Sequence, residues 1–116
     1  GASGARAIEN TIALGKVEVG LPLPKSFALA QNYPNPFNPT TTIKYQMPEA
    51  AQVSMVIYNM LGQVVNTLVS ERQDAGYYQV QWNGLNEMGQ PVPTGIYIYQ
   101  MRAGSFTKTV KMAYIK

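Results

Sequence analysis

Four of the six carboxylates in this chain are placed where acid–base chemistry would be conceivable. A pair of them could serve as the acid and base of glycoside hydrolysis. All four fall at expected turns or strand edges, where carboxylates are most often solvated loop charges. The chain also has no histidine, the commonest general base near neutral pH. The inventory therefore predicts a protein that is not an enzyme. The four residues are Glu49, Glu71, Asp74 and Glu87.

Residues 83–90 superficially resemble a calcium loop, because Asn and Glu oxygens around glycines can bind a hard cation. Only Glu87 is anionic there, and calcium sites generally use several carboxylates. The absence of cysteine excludes disulfides, thiolate zinc sites and iron–sulfur clusters. We therefore expect a structural turn at 83–90, with no metal and no cofactor.

The charge balance argues against nucleic acid as a partner. The chain has nine Lys and Arg residues and six Asp and Glu residues, which gives a formal net charge of +3. The basic residues are mostly scattered along the sequence. A phosphate-tracking surface usually needs a dense basic patch. No apolar run approaches the ~20 residues that a membrane-spanning helix requires. We expect neither a nucleic-acid partner nor a transmembrane segment.

Five aromatic residues could line a platform on which sugars stack, as in carbohydrate-binding modules. Strand alternation places Tyr78 and Trp82 on one face, and Tyr97 and Tyr99 on the face of Met101. Core packing therefore explains most of them, and a sugar platform remains the alternative. The five are Tyr77, Tyr78, Trp82, Tyr97 and Tyr99.

Two kinds of element must position these residues, and the first is a proline-rich segment, residues 21–39, here called the proline arm. Proline fixes φ and lacks an N–H donor, so the arm must be extended and cannot be a central strand. We expect it to lie along a surface groove, with Tyr33 and Phe37 as apolar anchors. Asn35 and Asn38 are expected to form turns through their own side chains.

The second kind of element is a series of short alternating runs separated by Gly, Pro and Asn. Gly62 offers the positive φ of a tight turn, and 103–105 is typical of a hairpin. Six or seven strands at this spacing predict an all-β, immunoglobulin-like antiparallel β-sandwich of about seven strands, with Trp82 as core anchor. The runs are 42–47, 53–58, 64–69, 77–82, 96–101 and 107–115.

The length of 116 residues is that of one domain. We assign residues 21–116 to the β-sandwich and residues 1–20 to a linker, a tag scar or the end of a preceding region. Residues 1–4 read as a scar or linker. Residues 8–19 could form a brief strand or helix at the domain edge, since so short a pattern does not separate the two.

The last run combines an apolar stripe with three lysines. Edge lysines can simply discourage edge-to-edge aggregation. Alternatively, a free strand edge with basic tips can be presented to a receptor that adds a strand to it. One face carries Thr107, Thr109, Lys111, Ala113 and Ile115, and the other carries Lys108, Val110, Met112, Tyr114 and Lys116.

The sequence contains five ordered blocks, residues 33–43, 56–65, 76–84, 95–99 and 108–112. Together these blocks resemble the type A C-terminal sorting domain of the type IX secretion system. The resemblance covers about residues 23–116. The order of the blocks over that length is more specific than any one of them.

The resemblance implies a non-catalytic sorting signal at the C-terminus of a secreted bacterial protein. Such domains follow an N-terminal cargo domain, pass through the periplasm and direct the cargo across the outer membrane through the type IX translocon. A sortase-like surface peptidase commonly removes the domain, which leaves the cargo secreted or at the cell surface. Cleavage would fall before the folded part, and residues 16–23 are the expected place.

The resemblance also assigns site residues by position. Its recognition region corresponds to Gly95, Tyr97, Lys108, Lys111, Met112 and Lys116. Its structural signature corresponds to Pro34, Asn35, Pro36, Phe37, Gly62, Trp82 and Gly84. Asn83 and Asn86 stand where relatives often carry Asp, which further disfavours a metal, and Thr109 separates lysines that are often adjacent.

Two readings of function follow. The first is a sorting domain whose C-terminal strands are recognised by the secretion machinery. Strand-edge hydrogen bonds would give affinity, and selection would come from the side chains of Tyr97, Lys111, Met112 and Lys116. The second is a structural immunoglobulin-like accessory module of a secreted enzyme, with carbohydrate as a conceivable ligand.

Overall fold

The chain folds into two antiparallel β-sheets packed face to face. The computed structural model describes residues 6–8, 11–17, 20 and 22–116. The five-stranded sheet has the order β1-β2-β7-β4-β3, and the four-stranded sheet has the order β6-β5-β8-β9. The strands are β1 (Arg6–Ile8), β2 (Thr11–Val17), β3 (Ala28–Leu29), β4 (Thr41–Met47), β5 (Ala51–Asn59), β6 (Val64–Gln73), β7 (Gly76–Trp82), β8 (Gly95–Ala103) and β9 (Phe106–Tyr114).

The predicted all-β immunoglobulin-like sandwich is confirmed. Seven of the nine described strands have seven residues or more, and the other two, β1 and β3, have three and two residues. The strands assigned from alternation correspond to β4 to β9. The described part of the chain contains no helix that is long and apolar enough to span a membrane.

Residues ahead of position 20 also contribute to the five-stranded sheet. β2 pairs antiparallel with β7 over 11–17, so the brief element expected within 8–19 is a strand at this edge of the sheet. A domain boundary at residue 20 stays a prediction. Residues 1–4, read as a scar or linker, lie outside the described residues.

Side-chain alternation places most of the core as the sequence predicts. On β4, for example, Ile43, Tyr45 and Met47 are each at most 5% exposed, and Lys44 between them is exposed. The same period of two applies on β5, β7 and β8 because one face of each sheet packs against the opposing sheet. Buried in this way are Val53, Met55, Ile57, Tyr78, Val80, Trp82, Tyr97, Tyr99 and Met101. The run 64–69 on β6 does not alternate as expected, because the pairing of β6 with β5 contains register shifts and buried residues there come in adjacent pairs.

The proline arm packs through one of its two expected anchors. Phe37 is 1% exposed, and its ring stacks on Tyr114 at 5.0 Å and is tilted against Trp82 at 5.6 Å. The expectation for Tyr33 is wrong, because this side chain is 81% exposed and only its backbone pairs, with Thr42. A proline-rich segment has no two-residue period, so the sequence does not say which ring points inward.

A buried polar network fixes the bend of the arm. The Asn32 side chain, 2% exposed, donates to the Pro34 carbonyl and to the Thr41 hydroxyl at 3.0 and 2.9 Å. The Thr41 hydroxyl donates to the same carbonyl at 2.8 Å. Buried polar groups are costly unless they are paired, so this network holds the arm against the start of β4.

Replacing the buried anchor of the arm should cost much more stability than replacing the exposed ring. We expect Phe37→Ala to lower the free energy of unfolding by about 3–5 kcal/mol, the usual cost of emptying a buried aromatic site. Tyr33→Ala should change it by about 0.5 kcal/mol or less, as at other exposed positions. Urea denaturation of both variants measures the two values, and equal losses would contradict the assigned packing of Phe37.

Gly84 and Gly89 form a matched pair for the aromatic contact at Tyr114. Both have positive φ, +76° and +78°, but a Cβ at Gly84 would lie 3.0 Å from the Tyr114 ring, whereas at Gly89 it would meet nothing within 4 Å. Gly89→Ala should cost about 1 kcal/mol for its backbone conformation alone. Gly84→Ala should cost about 1–3 kcal/mol more, because the packed ring must move. Denaturation curves of the two alanine variants provide the comparison, and an equal loss would argue against the close approach to Tyr114.

Candidate functional site

The candidate site is the outer edge of β9, the last strand of the four-stranded sheet. β9 pairs on one side with β8 in an unbroken register from Gly95↔Tyr114 to Ala103↔Phe106. Hydrogen-bonding groups alternate in direction along an antiparallel strand. The odd-numbered residues of β9 therefore point their N–H and C=O groups away from β8, toward the edge.

The proline arm occupies the C-terminal half of this edge. The Phe37 N–H donates to the Ala113 carbonyl, and the Ile115 N–H donates to the Phe37 carbonyl, each at 3.0 Å. The Ala113 N–H donates to the Asn35 side-chain oxygen at 3.0 Å. The expected turn through the Asn35 side chain is thus replaced by a cap on β9. The free C-terminal strand edge considered for receptor binding is therefore covered past residue 111, where the arm lies.

Side chains tie the rest of the arm to β9 without occupying its whole edge. Phe27 stacks on Phe106 with ring centroids 5.4 Å apart. The Lys108 ammonium donates to the Leu29 carbonyl at 3.0 Å, and the Gln31 amide donates to the Lys111 carbonyl at 2.9 Å. The arm therefore follows β9 from one end of the sandwich to the other.

A short window, residues 107–111, remains open on the edge. Thr107, Thr109 and Lys111 are exposed. Their outward N–H groups, and the carbonyls of the two threonines, have no hydrogen-bond partner among the described residues. The lysines of the last run indicate an edge strand. They do not indicate which half of that strand is covered, because the covering residues lie about 80 positions earlier in the chain.

The six predicted recognition residues divide into exposed and buried positions. Tyr97 and Met112, which are cross-strand partners, are 6% and 1% exposed. In the folded domain their side chains face the core and are not available for selection by a partner. The exposed positions are Gly95, Lys108, Lys111 and Lys116.

The predicted structural signature gathers mainly around one aromatic cluster. Trp82, fully buried, contacts Phe37, Tyr97 and Tyr114 at ring distances of 5.6, 5.4 and 6.3 Å. Asn35 reaches β9, and the chain passes through Pro34 and Pro36 to bring Phe37 into place. Gly84 touches this cluster, whereas Gly62 lies in the β5–β6 turn with φ +82°.

The calcium-like stretch 83–90 is turn structure in the described chain. The Asn86 side-chain oxygen accepts hydrogen bonds from the Met88 and Gln90 N–H groups at 2.9 and 3.0 Å. The Leu85 carbonyl accepts from the Trp82 indole N–H and from the Asn66 amide. No group of three or more carboxylates able to hold a metal occurs in the part of the chain that the structure describes.

Only one of the five aromatic residues considered for a sugar platform stays partly exposed. Tyr78, Trp82, Tyr97 and Tyr99 are core residues. Tyr77 is half-buried on the outer face of the five-stranded sheet and donates to the Pro22 carbonyl at 3.0 Å. It lines a cleft of about 340 Å³ together with Lys44, Gln46 and Gln79.

Comparison with known proteins identifies the family. The model of the FlgD Ig-like domain matches residues 35–106, more than half of the chain. The chain belongs to the FlgD Ig-like domain family. No curated protein sequence matches the chain.

Two solved structures from Porphyromonas gingivalis are similar to this FlgD Ig-like domain. Dimeric latent PorU matches with a TM-score of 0.62 at 16% identity, covering 78% of this chain and 9% of that one. PorZ, an essential bacterial surface component of the type-IX secretion system, matches with a TM-score of 0.52 at 21% identity, covering 79% of this chain and 12% of that one. At these identities the likeness shows the fold, and the chain spans about a tenth of each longer protein.

Three tyrosine side chains in the core of the FlgD Ig-like domain have raised hydroxyl pKa values. Burial raises the pKa of Tyr45 well above its usual range, although its hydrogen bond to Gln73 at 2.6 Å opposes the rise. Burial also raises the pKa of Tyr99, whose hydroxyl donates to the Ala30 carbonyl at 2.6 Å. The pKa of Tyr97 is raised in the same way.

The stability of the domain should therefore fall at high pH. A group whose pKa is raised by folding stabilises the protein below its unfolded pKa, here 10.0, and loses that contribution as pH rises toward the folded pKa. Urea midpoints measured at about pH 8 and about pH 11 should show a larger loss in the parent than in Tyr45→Phe or Tyr99→Phe. Equal losses in all three proteins would refute this origin of the pH dependence.

Proposed function

We propose that this domain is a non-catalytic C-terminal sorting domain that directs a cargo protein across the outer membrane through the type IX secretion system. The observation that carries the proposal is the edge position of β9, with a window of unpaired backbone groups at 107–111. A receptor can add a strand to such an edge, with backbone hydrogen bonds supplying affinity and nearby side chains supplying selection.

Two further observations support the same proposal. The first block of the sorting-domain resemblance contacts the residues that directly follow its last block, since Asn35 accepts a hydrogen bond from Ala113 and Phe37 stacks on Tyr114. A domain of similar fold occurs in PorZ, a surface component of the type-IX system. The proposal places the protein in the periplasm during transit and then outside the cell, with a cargo domain ahead of it.

Removal of the domain by a sortase-like surface peptidase forms part of the proposal. Lys16 and Val17 are the last residues of β2, and residues 22–24 follow before the arm packs on β9. Of the expected cleavage range 16–23, residues 18, 19 and 21 lie outside the described residues. A cut after Val17 would leave β2 on the cargo and β7 in the removed domain. The two strands are paired, so release of the domain would also require their separation.

The test substitutes exposed lysines and does not truncate the chain, because removal of the last ten residues would also remove Met112 and Tyr114 from the core. A signal-peptide reporter carries the full 116-residue chain at its C-terminus in a host with the type IX system. We expect Lys111→Gln with Lys116→Gln to reduce export by about tenfold, equivalent to about 1.4 kcal/mol of lost recognition. Melting temperatures should change little, because both lysines are exposed.

The matched control replaces two exposed basic residues away from the β9 edge, Lys44→Gln with Arg72→Gln, at the same change in net charge. This variant should be exported like the parent. Equal loss of export in both double variants would mean that net charge, rather than β9, is read. A folded parent that is not exported at all would favour the accessory-module function, and glycan binding at the Tyr77 cleft would then be measured with Tyr77→Ala as its control.

A further inference from the structure

The charged residues in the segments around the open window on β9 are all basic. The proline arm and residues 95–116 flank it, and together these segments contain no Asp or Glu. The described carboxylates belong to other parts of the chain, with Glu71 on β6, the opposite edge strand of the same sheet. The basic residues of the two segments are Lys25, Arg102, Lys108, Lys111 and Lys116.

The lysines of the window differ in what remains available to a partner. Lys108 is engaged with the Leu29 carbonyl. The Lys111 side chain is exposed and makes no hydrogen bond or ion pair with the described residues. A strand added at this edge would lie alongside Lys111, and an opposite charge in the facing position of an added strand is favourable, whereas a like charge is unfavourable.

A second copy of this chain is a poor occupant of the window. Pairing two β9 edges would bring the lysines of one copy close to those of the other, and edge lysines are a recognised means of preventing such pairing. The arm would also limit the pairing, because it holds the edge from Ala113 onward. The lysines and the short length of the window are compatible with the addition of a short, negatively charged strand.

We propose that the window 107–111 receives a short acidic β-strand of the sorting receptor, with a carboxylate facing Lys111. This proposal rests on the proposed sorting function and names the chemistry of its partner. The added strand pairs with the outward groups of Thr107 and Thr109 and with the Lys111 N–H. Its length is limited to about five residues because the arm closes the edge beyond.

A tethered strand tests the pairing without requiring that the receptor be known. A segment of about seven residues alternating Glu and Thr is fused after Lys116 through a flexible Gly/Ser linker of about 15 residues. We expect hydrogen exchange of the Thr107, Thr109 and Lys111 amides to slow by about tenfold relative to the chain with the linker alone. A segment alternating Lys and Thr should give no such protection.

Two variants of Thr109 are the matched controls. Thr109→Pro removes an outward N–H and leaves the β8 ladder intact, which an edge position tolerates, so protection of the Thr107 and Lys111 amides should be lost. Thr109→Val loses the same side-chain hydrogen bond to Gln100 but keeps the N–H, and protection should remain. Equal protection by the acidic and basic segments, or none by either, would overturn the proposal.

Export of the same Thr109 variants separates this inference from the proposed function. Loss of export in Thr109→Pro but not in Thr109→Val would support the edge as the surface read during sorting. Normal export of both would overturn that assignment and leave the sorting function standing. A parent chain that is not exported would refute the sorting function, whereas the exchange experiment would still report on the acidic strand.

Discussion

The packing of Phe37 against Trp82 and Tyr114 is the contact on which the rest of the domain depends. Trp82 ends β7 in the five-stranded sheet, Tyr114 ends β9 in the four-stranded sheet, and Phe37 comes from the proline arm. One cluster of rings therefore joins both sheets to the segment that crosses between them. Because the chain has no cysteine, the sheets are held together by packing of this kind rather than by a covalent link.

That contact also determines what the last strand exposes. With Phe37 seated, the arm backbone lies where it can bond to Ala113 and Ile115, and the C-terminal half of the β9 edge is closed. The remaining window is short and carries lysines, two features that oppose pairing between identical copies. Packing of the arm thus limits the length of the open edge, and the lysines limit which strands can pair with it.

The sequence predicts those parts of the structure that follow from local periodicity, and fails where distant segments meet. A period of two correctly places Ile43, Met55 and Val80 in the core, because each strand has one face toward the opposing sheet. It does not distinguish the buried Phe37 from the exposed Tyr33, since an arm rich in proline has no regular period. The cap of Asn35 on Ala113 joins residues 78 positions apart and depends on the order of strands, which local patterns do not specify.

At the candidate site, too, the position of a residue in the sequence does not determine whether its side chain is exposed. Resemblance assigns Tyr97 and Met112 to a recognition region by their place in the sequence, yet both are core residues paired across β8 and β9. Under the proposed function their contribution would be indirect, because these cross-strand partners support the pairing of β8 with β9 that positions the outward groups of 107–111. A partner that reads backbone groups depends on that register more than on the identity of most side chains. Buried aromatic and methionine residues can therefore be part of a recognition signal without ever touching the receptor.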